Sequence, residues 1–462
     1  MPRLLPTSAV LALAAYYVYF AGISLRAGLS HDDLMNAHRA VIAPWPSLIK
    51  DCLFFFLPSD QYRPVGAVFY RICRDLFGFH PLPLHIGMLV LWAAGLALVY
   101  DSVRRLADST EVALLTVLLM AHHSNRPFYY YNSGFCYDVL CHLFYFAALA
   151  YYLRVRAGEG RPGEKELVVL SALYLLALGS KEMAVSLPVV LGAYEWLRPW
   201  RDWRFPSITA VMAGVFVLGR VLARDGLSNI DGYRITLRPA FYLESWTEWL
   251  ASMLFLSPTA IPWTMAAAFL AGSIALAWLS CDRAFRIAVV LALAGVLPVA
   301  FIRPVRGLEA ICIPMTGVAL MAAWWVSRLS LVVNSRWRGP AVFALALVLL
   351  ADLHARKLPP AEVMMSEGAE IAHVQRELEA HGRLAPRSRV LFVEDPFPEP
   401  YGLATTFLLQ ILNGASVQVT RADKLTTAPD WTQYDYVLSW QKHRIVSLKT
   451  GETASRGSVV PQ

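Results

Sequence analysis

Residues 7–33 read TSAVLALAAYYVYFAGISLRAGLSHDD, and the change of character inside this stretch decides the fold. From Thr7 to Ser24 no residue is charged. A helix of that length rises about 27 Å, close to the hydrocarbon thickness of a bilayer. Arg26 then ends the apolar run, and Ser30-His31-Asp32-Asp33 follows almost at once. No small-residue cleavage site closes the run, so it reads as a retained first span and not as a signal peptide.

The same alternation recurs along the chain. Apolar windows fall at 7–25, 84–101, 110–124, 132–153, 167–180, 183–197, 206–223, 263–280, 286–302, 308–327 and 340–355. Hydrophobic residues make up 57% of 462 and charged residues only 16%, where a soluble domain carries about 25% charge. One aqueous core cannot hide that much apolar surface. The stretch 244–262 is apolar but carries Glu244, Glu248, Pro258 and Pro262, which suits an interfacial or re-entrant segment better than a crossing. The expectation is an all-α polytopic membrane protein of about eleven transmembrane helices, comprising residues 1–355.

The formal charge of +7 follows from topology. Alternate loops hold Arg104 and Arg105, then Arg154, Arg156, Arg161 and Lys165, then Arg198, Arg201 and Arg204, then Arg283 and Arg286, and finally Arg328, Arg336 and Arg338. This bias puts those loops and the N-terminus in the cytoplasm, and residues 26–83 and the C-terminus outside. No basic stripe interleaves with exposed aromatics, which excludes a nucleic-acid partner. None of the six cysteines has metal-ligand spacing. Cys52 and Cys73 share one loop, where either a disulfide or two free thiols fits, the thiols better.

Two segments are then expected beyond the spans on the outer face. In 26–83, apolar runs at Leu48–Leu57 and Val65–Phe79 are broken by Pro44, Pro46, Pro58 and Pro64, the pattern of amphipathic helices lying on a membrane. The tail, 356–462, reads as a small extracytoplasmic α/β domain. It comprises a charged helix Ala361–His381, a strand from Arg389, a helix Leu403–Leu412, a strand from Ala415, and a third strand near Tyr434–Ser439. No glycine-rich turn follows the first strand, which argues against nucleotide binding there. No internal repeat is apparent.

Four polar groups fall on that same face. Ser30-His31-Asp32-Asp33 is either a helix cap or a carboxylate facing a surface cavity, as general base or as ligand to a cation bridging a phosphate. Lys181-Glu182 is either a helix-end pair or a point charge for a lipid phosphate. The cluster from His122-His123 through Arg126 to Asp138 belongs partly to the aromatic belt, but a carboxylate one turn inside a span is costly and suggests a cavity. Adjacent histidines on a helix point about 100° apart and do not chelate together. Arg303 and Arg306, with Glu309, either snorkel to the interface or neutralise a phosphate.

These residues, in this order, resemble the GT-C integral-membrane glycosyltransferases, near the bacterial relatives of the transmembrane O-mannosyltransferases. The resemblance rests on His31-Asp32-Asp33, Tyr62-Arg63-Pro64-Val65 leading to Leu76-Phe77-Gly78, and His85. Farther on it includes Gly179-Ser180-Lys181-Glu182-Met183-Ala184 with Leu187-Pro188, and Ile313-Pro314-Met315-Thr316-Gly317. It implies transfer of a sugar, with inversion, from a polyprenyl-phosphate carrier to a hydroxyl of a glycan, lipid or protein. The setting it implies is the periplasmic face of a bacterial inner membrane. By position, Asp32 or Asp33 takes the role of base or of carboxylate to a divalent cation, magnesium or manganese. His31, Arg63, Asp138, Lys181, Glu182, Arg303 and Arg306 take substrate-binding roles, with Lys181, Arg303 and Arg306 nearest the carrier phosphate. Where relatives carry an Arg-Tyr pair, this chain has Glu309 and Ala310, and Met88 and Trp92 stand in for an Asn and a second His. A lipid-linked-glycan flippase predicts charges through the bilayer middle and symmetry-related broken helices, and the sequence offers neither. A catalytically silent envelope-assembly protein is the third reading.

Overall fold

The computed structural model describes residues 7–54, 63–123, 125–157, 160–222, 234–330, 335–397 and 403–449. Tyr62, Pro58 and the last residues of the tail lie outside them.

Helix α1 (Thr7–Ile23) enters from the first window. The next three helices, α2 (His31–Ile42), α3 (Trp45–Leu53) and α4 (Pro64–Phe77), form the expected amphipathic layer. Prolines start two of them: Pro44 caps α3 and Pro64 opens α4, positions where the missing amide proton costs nothing. The bundle continues with α5 (Pro81–Ala107), α6 (Thr110–His122), the single turn α7 (Phe128–Tyr131), α8 (Cys136–Val155), α9 (Glu164–Ser180), α10 (Leu187–Trp196) and α11 (Arg204–Leu222). A short strand β1 (Arg234–Ile235) precedes α12 (Pro239–Met253), α13 (Trp263–Ser280) and α14 (Arg283–Gly295). Strand β2 (Ile302–Arg303) pairs antiparallel with β1 and leads into α15 (Cys312–Ser330).

Each of the eleven apolar windows contains a helix, although the window 286–302 is helical only to Gly295 and ends in β2. Among the described residues five helical segments are long and apolar enough to cross a membrane alone: Pro81–Ala107, Ser133–Val155, Arg204–Leu222, Trp263–Ser280 and Leu308–Ser330. Val10–Arg26 and His31–Ile42 pass together but are bent by 67°, so the polar turn at Ser30 interrupts the apolar path. The stretch 244–262 forms no span-length helix; α12 packs against α13 and buries Trp246 and Trp249. The outward faces are apolar, with Trp278 80% exposed, as a lipid-facing wall requires and an aqueous one does not tolerate. The chain is a multi-pass membrane protein. Its centre is α5, α6, α8 and α15, with α9 and α14 against them. Gly317 lets α15 approach α14 closely: a Cβ there would lie 2.6 Å from the Ala288 carbonyl oxygen.

The tail departs from expectation in two places. The last window and the charged helix are one helix, α16 (Ser335–His381), 47 residues long despite Pro359 and Pro360. Packing sustains it, because Ala361, Met364, Ile371, Val374 and Leu378 form one buried stripe at helical spacing. A fourth strand was not foreseen. Strands β3 (Arg389–Phe392), β4 (Gln418–Arg421), β5 (Tyr436–Gln441) and β6 (Arg444–Lys449) form a sheet in the order β4-β3-β5-β6. Helix α17 (Leu403–Asn413) connects the parallel pair β3 and β4, and β6 closes an antiparallel hairpin on β5. The hairpin turns through Lys442 and His443, both at positive φ, without the Asn-Gly signal that makes such turns legible. Helix α17 packs on α2 through His38 Nε2 and Gln410 Oε1 at 2.6 Å.

Candidate active site

The acidic turn gives its two aspartates different work. Ser30 caps α2: its hydroxyl accepts the Asp33 amide (3.1 Å), and its own amide donates to Asp33 Oδ2 (2.8 Å), a reciprocal capping box. Tyr70 donates to Asp33 Oδ1 at 2.6 Å and Ser133 at 2.7 Å. Both Asp33 oxygens are thus occupied, and the residue is fully buried. Asp32 keeps solvent access. It lies against Gly134, where a Cβ would come within 2.6 Å of the Asp32 Cβ. Glu367 of α16 reaches the same turn and accepts the His31 amide at 2.9 Å. The His31 ring stands edge-on to Phe397 of the tail, 5.0 Å between centroids. Surrounding protein, and then the charge of Asp33, hold the Asp32 carboxyl above the ordinary carboxylate range. Burial raises Glu367 as well, with the neighbouring carboxylates adding to it.

A second cluster joins the first across the opening turn of α8, where Ser133, just before the helix, donates to Asp33, and Asp138, in its first turn, takes Lys181. Lys181 and Glu182 are adjacent but do not pair with each other. Lys181 follows α9 in an extended conformation, and its Nζ lies 2.5 Å from Asp138 Oδ1, both side chains nearly buried. That is one hydrogen bond for an ammonium with three protons, and the other Asp138 oxygen receives none from a described residue. Glu182 instead takes Arg63, 3.2 Å from Nη2 to each carboxylate oxygen, with the guanidinium 5.5 Å from the Tyr137 ring centroid. The start of α4 can lie this close because Gly66 and Gly179 have no side chains: a Cβ on Gly66 would enter the Tyr137 ring.

The late basic residues are placed differently. Arg303 bridges to Glu244 at 2.8 Å, is half exposed, and lies 4.4 Å from the Phe241 ring centroid. The Arg306 carbonyl accepts the Trp249 indole at 2.7 Å. Glu309 accepts from Asn125 at 3.3 Å. Arg126, which the sequence placed in the polar cluster without a role of its own, acquires one here. It is fully buried, donates to the Tyr129 hydroxyl at 2.7 Å and to the Leu308 carbonyl at 3.3 Å, and so pins the turn before α15 to the one before α8. Its position three residues before a run of three tyrosines was the signal available. Met88 and Trp92 are core residues, Trp92 resting on Tyr129 and His142. His122 stacks with Tyr16, and His123 with Phe255. Among the described residues no group of three or more His, Cys, Asp or Glu suits a metal ion. All six cysteines are free thiols, so Cys52 and Cys73 do not pair.

Helices crossing the membrane, an amphipathic layer after the first span, an acidic turn and a basic turn make up a fold similar to that of a solved membrane protein. Residues 61–222 match the family model described as dolichyl-phosphate-mannose-protein mannosyltransferase. That stretch contains Arg63, Asp138, Lys181 and Glu182 but neither the acidic turn nor Arg303 and Arg306. The crystal structure of ArnT from Cupriavidus metallidurans bound to undecaprenyl phosphate is similar over 88% of this chain and 85% of that one, with a TM-score of 0.51 and 14% identity. The apo form of the same protein aligns over 90% and 86%, with a TM-score of 0.49 and 13% identity. At such identity the likeness concerns the fold. No curated protein matches the sequence.

Proposed function

We propose that the protein transfers a sugar from a polyprenyl-phosphate carrier to an acceptor hydroxyl, with inversion, at the periplasmic face of a bacterial inner membrane. The observation that carries this reading is the division of labour at the acidic turn: Asp33 is consumed by hydrogen bonds from the Ser30 amide, Tyr70 and Ser133, while Asp32 beside it is accessible and holds its proton more tightly than an ordinary aspartate. A general base works best when its pKa lies toward the working pH. The acceptor oxygen attacks the anomeric carbon, the bond from that carbon to the phosphate oxygen breaks, and the hydroxyl proton passes to Asp32. The carrier departs as its phosphate, already a good leaving group, so positioning and charge neutralisation supply most of the acceleration. Lys181, with ammonium protons to spare, and Arg63 are the cations nearest that role. The undecaprenyl phosphate of ArnT supports the carrier class. The described donor set does not suit a metal ion.

The test is release of undecaprenyl phosphate from a panel of undecaprenyl-phosphate sugars by the reconstituted protein. Asp32→Asn is expected to lower turnover about 10²–10⁴-fold while the protein stays folded. Turnover in Asp32→Asn equal to that of the parent would overturn the assignment of the base.

A further inference from the structure

The end of the bundle away from the acidic turn holds a feature the proposed reaction does not use. Helix α5 starts beside Gly28 and Tyr130 through His85, α8 starts beside Asp33, and α10 follows the Lys181 turn. All three therefore finish at the opposite end. There a cleft of about 490 Å³ opens between them and the start of α14. Its walls include Arg105, Arg198 and Arg283, Tyr194, and Asp108 as the one acidic lining residue among those described.

An excess of arginine at one end is expected from topology alone, and scattered side chains would satisfy it. These converge. Arg198 donates to the Tyr194 hydroxyl at 2.8 Å, and the Arg198 and Arg283 guanidinium carbons lie 5.4 and 5.5 Å from the centroid of that ring. Arg283 makes no ion pair with any described residue. Arg105 shares Asp101 with Arg104 and Arg154, so one carboxylate serves three guanidiniums. Beneath the cleft the walls are fixed by a saturated ion pair: Arg156 binds both oxygens of Glu195 (2.9 and 2.7 Å), joining the last turns of α8 and α10. Among the described residues the concavity is lined by three arginines and one carboxylate. Guanidinium forks in that setting match phosphate oxygens in geometry as well as charge.

We propose that this cleft is a second, non-catalytic site that binds a phosphate group, carried either by an anionic phospholipid headgroup or as free phosphate. The proposal is independent of the transfer reading, since its test measures binding and not turnover. Full-length protein in neutral detergent is exposed to phosphatidylglycerol or phosphatidylcholine, and retained lipid is counted by native mass spectrometry. Phosphatidylglycerol is expected to be retained over phosphatidylcholine. Arg198→Gln with Arg283→Gln lowers that retention about thirty-fold, at roughly one kilocalorie per mole for each arginine. Arg161→Gln, an exposed arginine in the loop that follows α8, leaves it unchanged. Should the double variant not fold, Asp108→Asn serves from the other side: it removes the repelling carboxylate, keeps a residue that tolerates the left-handed backbone at φ 47°, and tightens retention. Displacement by millimolar inorganic phosphate identifies phosphate itself as sufficient, and resistance to it identifies the lipid as the source. Equal retention of the two lipids with no phosphate binding overturns the proposal. So does parental retention in the double variant, an equal loss in Arg161→Gln, or no gain in Asp108→Asn.

Discussion

The two ends of α8 each carry a buried ion pair, and they are built to different standards. At the far end Glu195 is saturated. It accepts Nε and Nη2 of Arg156, the Tyr152 hydroxyl at 2.9 Å and the Asp202 amide at 2.7 Å, while Arg156 also donates to the carbonyls of Trp200 (2.6 Å) and Gly160 (2.5 Å). At the near end Asp138 and Lys181 share a single contact, with hydrogen-bonding capacity left on both sides. A saturated buried pair can only hold structure. An unsaturated one keeps its residual donors and acceptors for something that arrives, and it costs stability to maintain. The difference separates scaffold from site more sharply than burial does, since all four side chains are buried.

The comparison breaks most visibly at Glu195. Glu195→Ala leaves a buried guanidinium without its partner, at an expected cost of about 3–5 kcal/mol, read as a large drop in the unfolding temperature in detergent. Asp138→Asn keeps an oxygen for Lys181 and is expected to cost only about 1–3 kcal/mol. Its effect belongs in turnover, down about a hundredfold with a raised KM for the carrier, because a neutral amide aims the Lys181 ammonium less firmly than a carboxylate does. If Asp138→Asn instead unfolds the protein as Glu195→Ala does while the residual folded fraction turns over normally, both pairs are scaffold.

How far this distinction was legible in the sequence depends on the range of the contact. Every apolar window contains a helix, because the exclusion of charge is a local property that a bilayer enforces, but only five described segments reach span length alone. Pro44, Pro46 and Pro64 marked helix starts for an equally local reason. The capping box, Ser30 followed three residues on by an acid, was also legible, and it decides which aspartate is consumed. The remaining donors to Asp33 come from Tyr70 and Ser133, and the partner of Lys181 lies 43 residues away. Nothing in spacing announces such pairings. Glu195 offered a signal that went unused: a carboxylate inside GAYEW is expensive in a span and calls for a partner. The continuity of α16 through Pro359 and Pro360 was hidden because its cause is tertiary, a buried stripe outweighing two lost backbone donors.

A second, smaller contrast lies within the acidic turn. Tyr70→Phe removes one of the donors that consume Asp33, and a hydrogen bond to a charged group is worth about 1.5–3 kcal/mol. The expected result is a stability loss of that size with turnover per folded molecule nearly unchanged, since Asp32 keeps its place against Gly134. Thermal unfolding and turnover measured on one preparation separate the two quantities. A large fall in turnover with no loss of stability would mean that Asp33, and not Asp32, meets the substrate.

The smallest effect is the most specific to the pair. Asp32 must be ionised to take a proton, and both burial and the charge of Asp33 raise its pKa, burial being the larger cause. The sign follows directly: as pH falls through that raised value Asp32 becomes protonated, so turnover is lost on the acid side at a higher pH than an ordinary aspartate would give. Asp33→Asn removes the charge contribution and leaves the burial. The acid limb of the kcat/KM profile is therefore expected to move to lower pH in Asp33→Asn, but only part of the way toward the ordinary range. Glu367→Gln, which alters the His31 amide contact but not the charge of Asp33, is expected to move it less. A limb that stays put in Asp33→Asn would show that the titrating base is not the neighbour of Asp33, and the reading of Asp32 would fall with it.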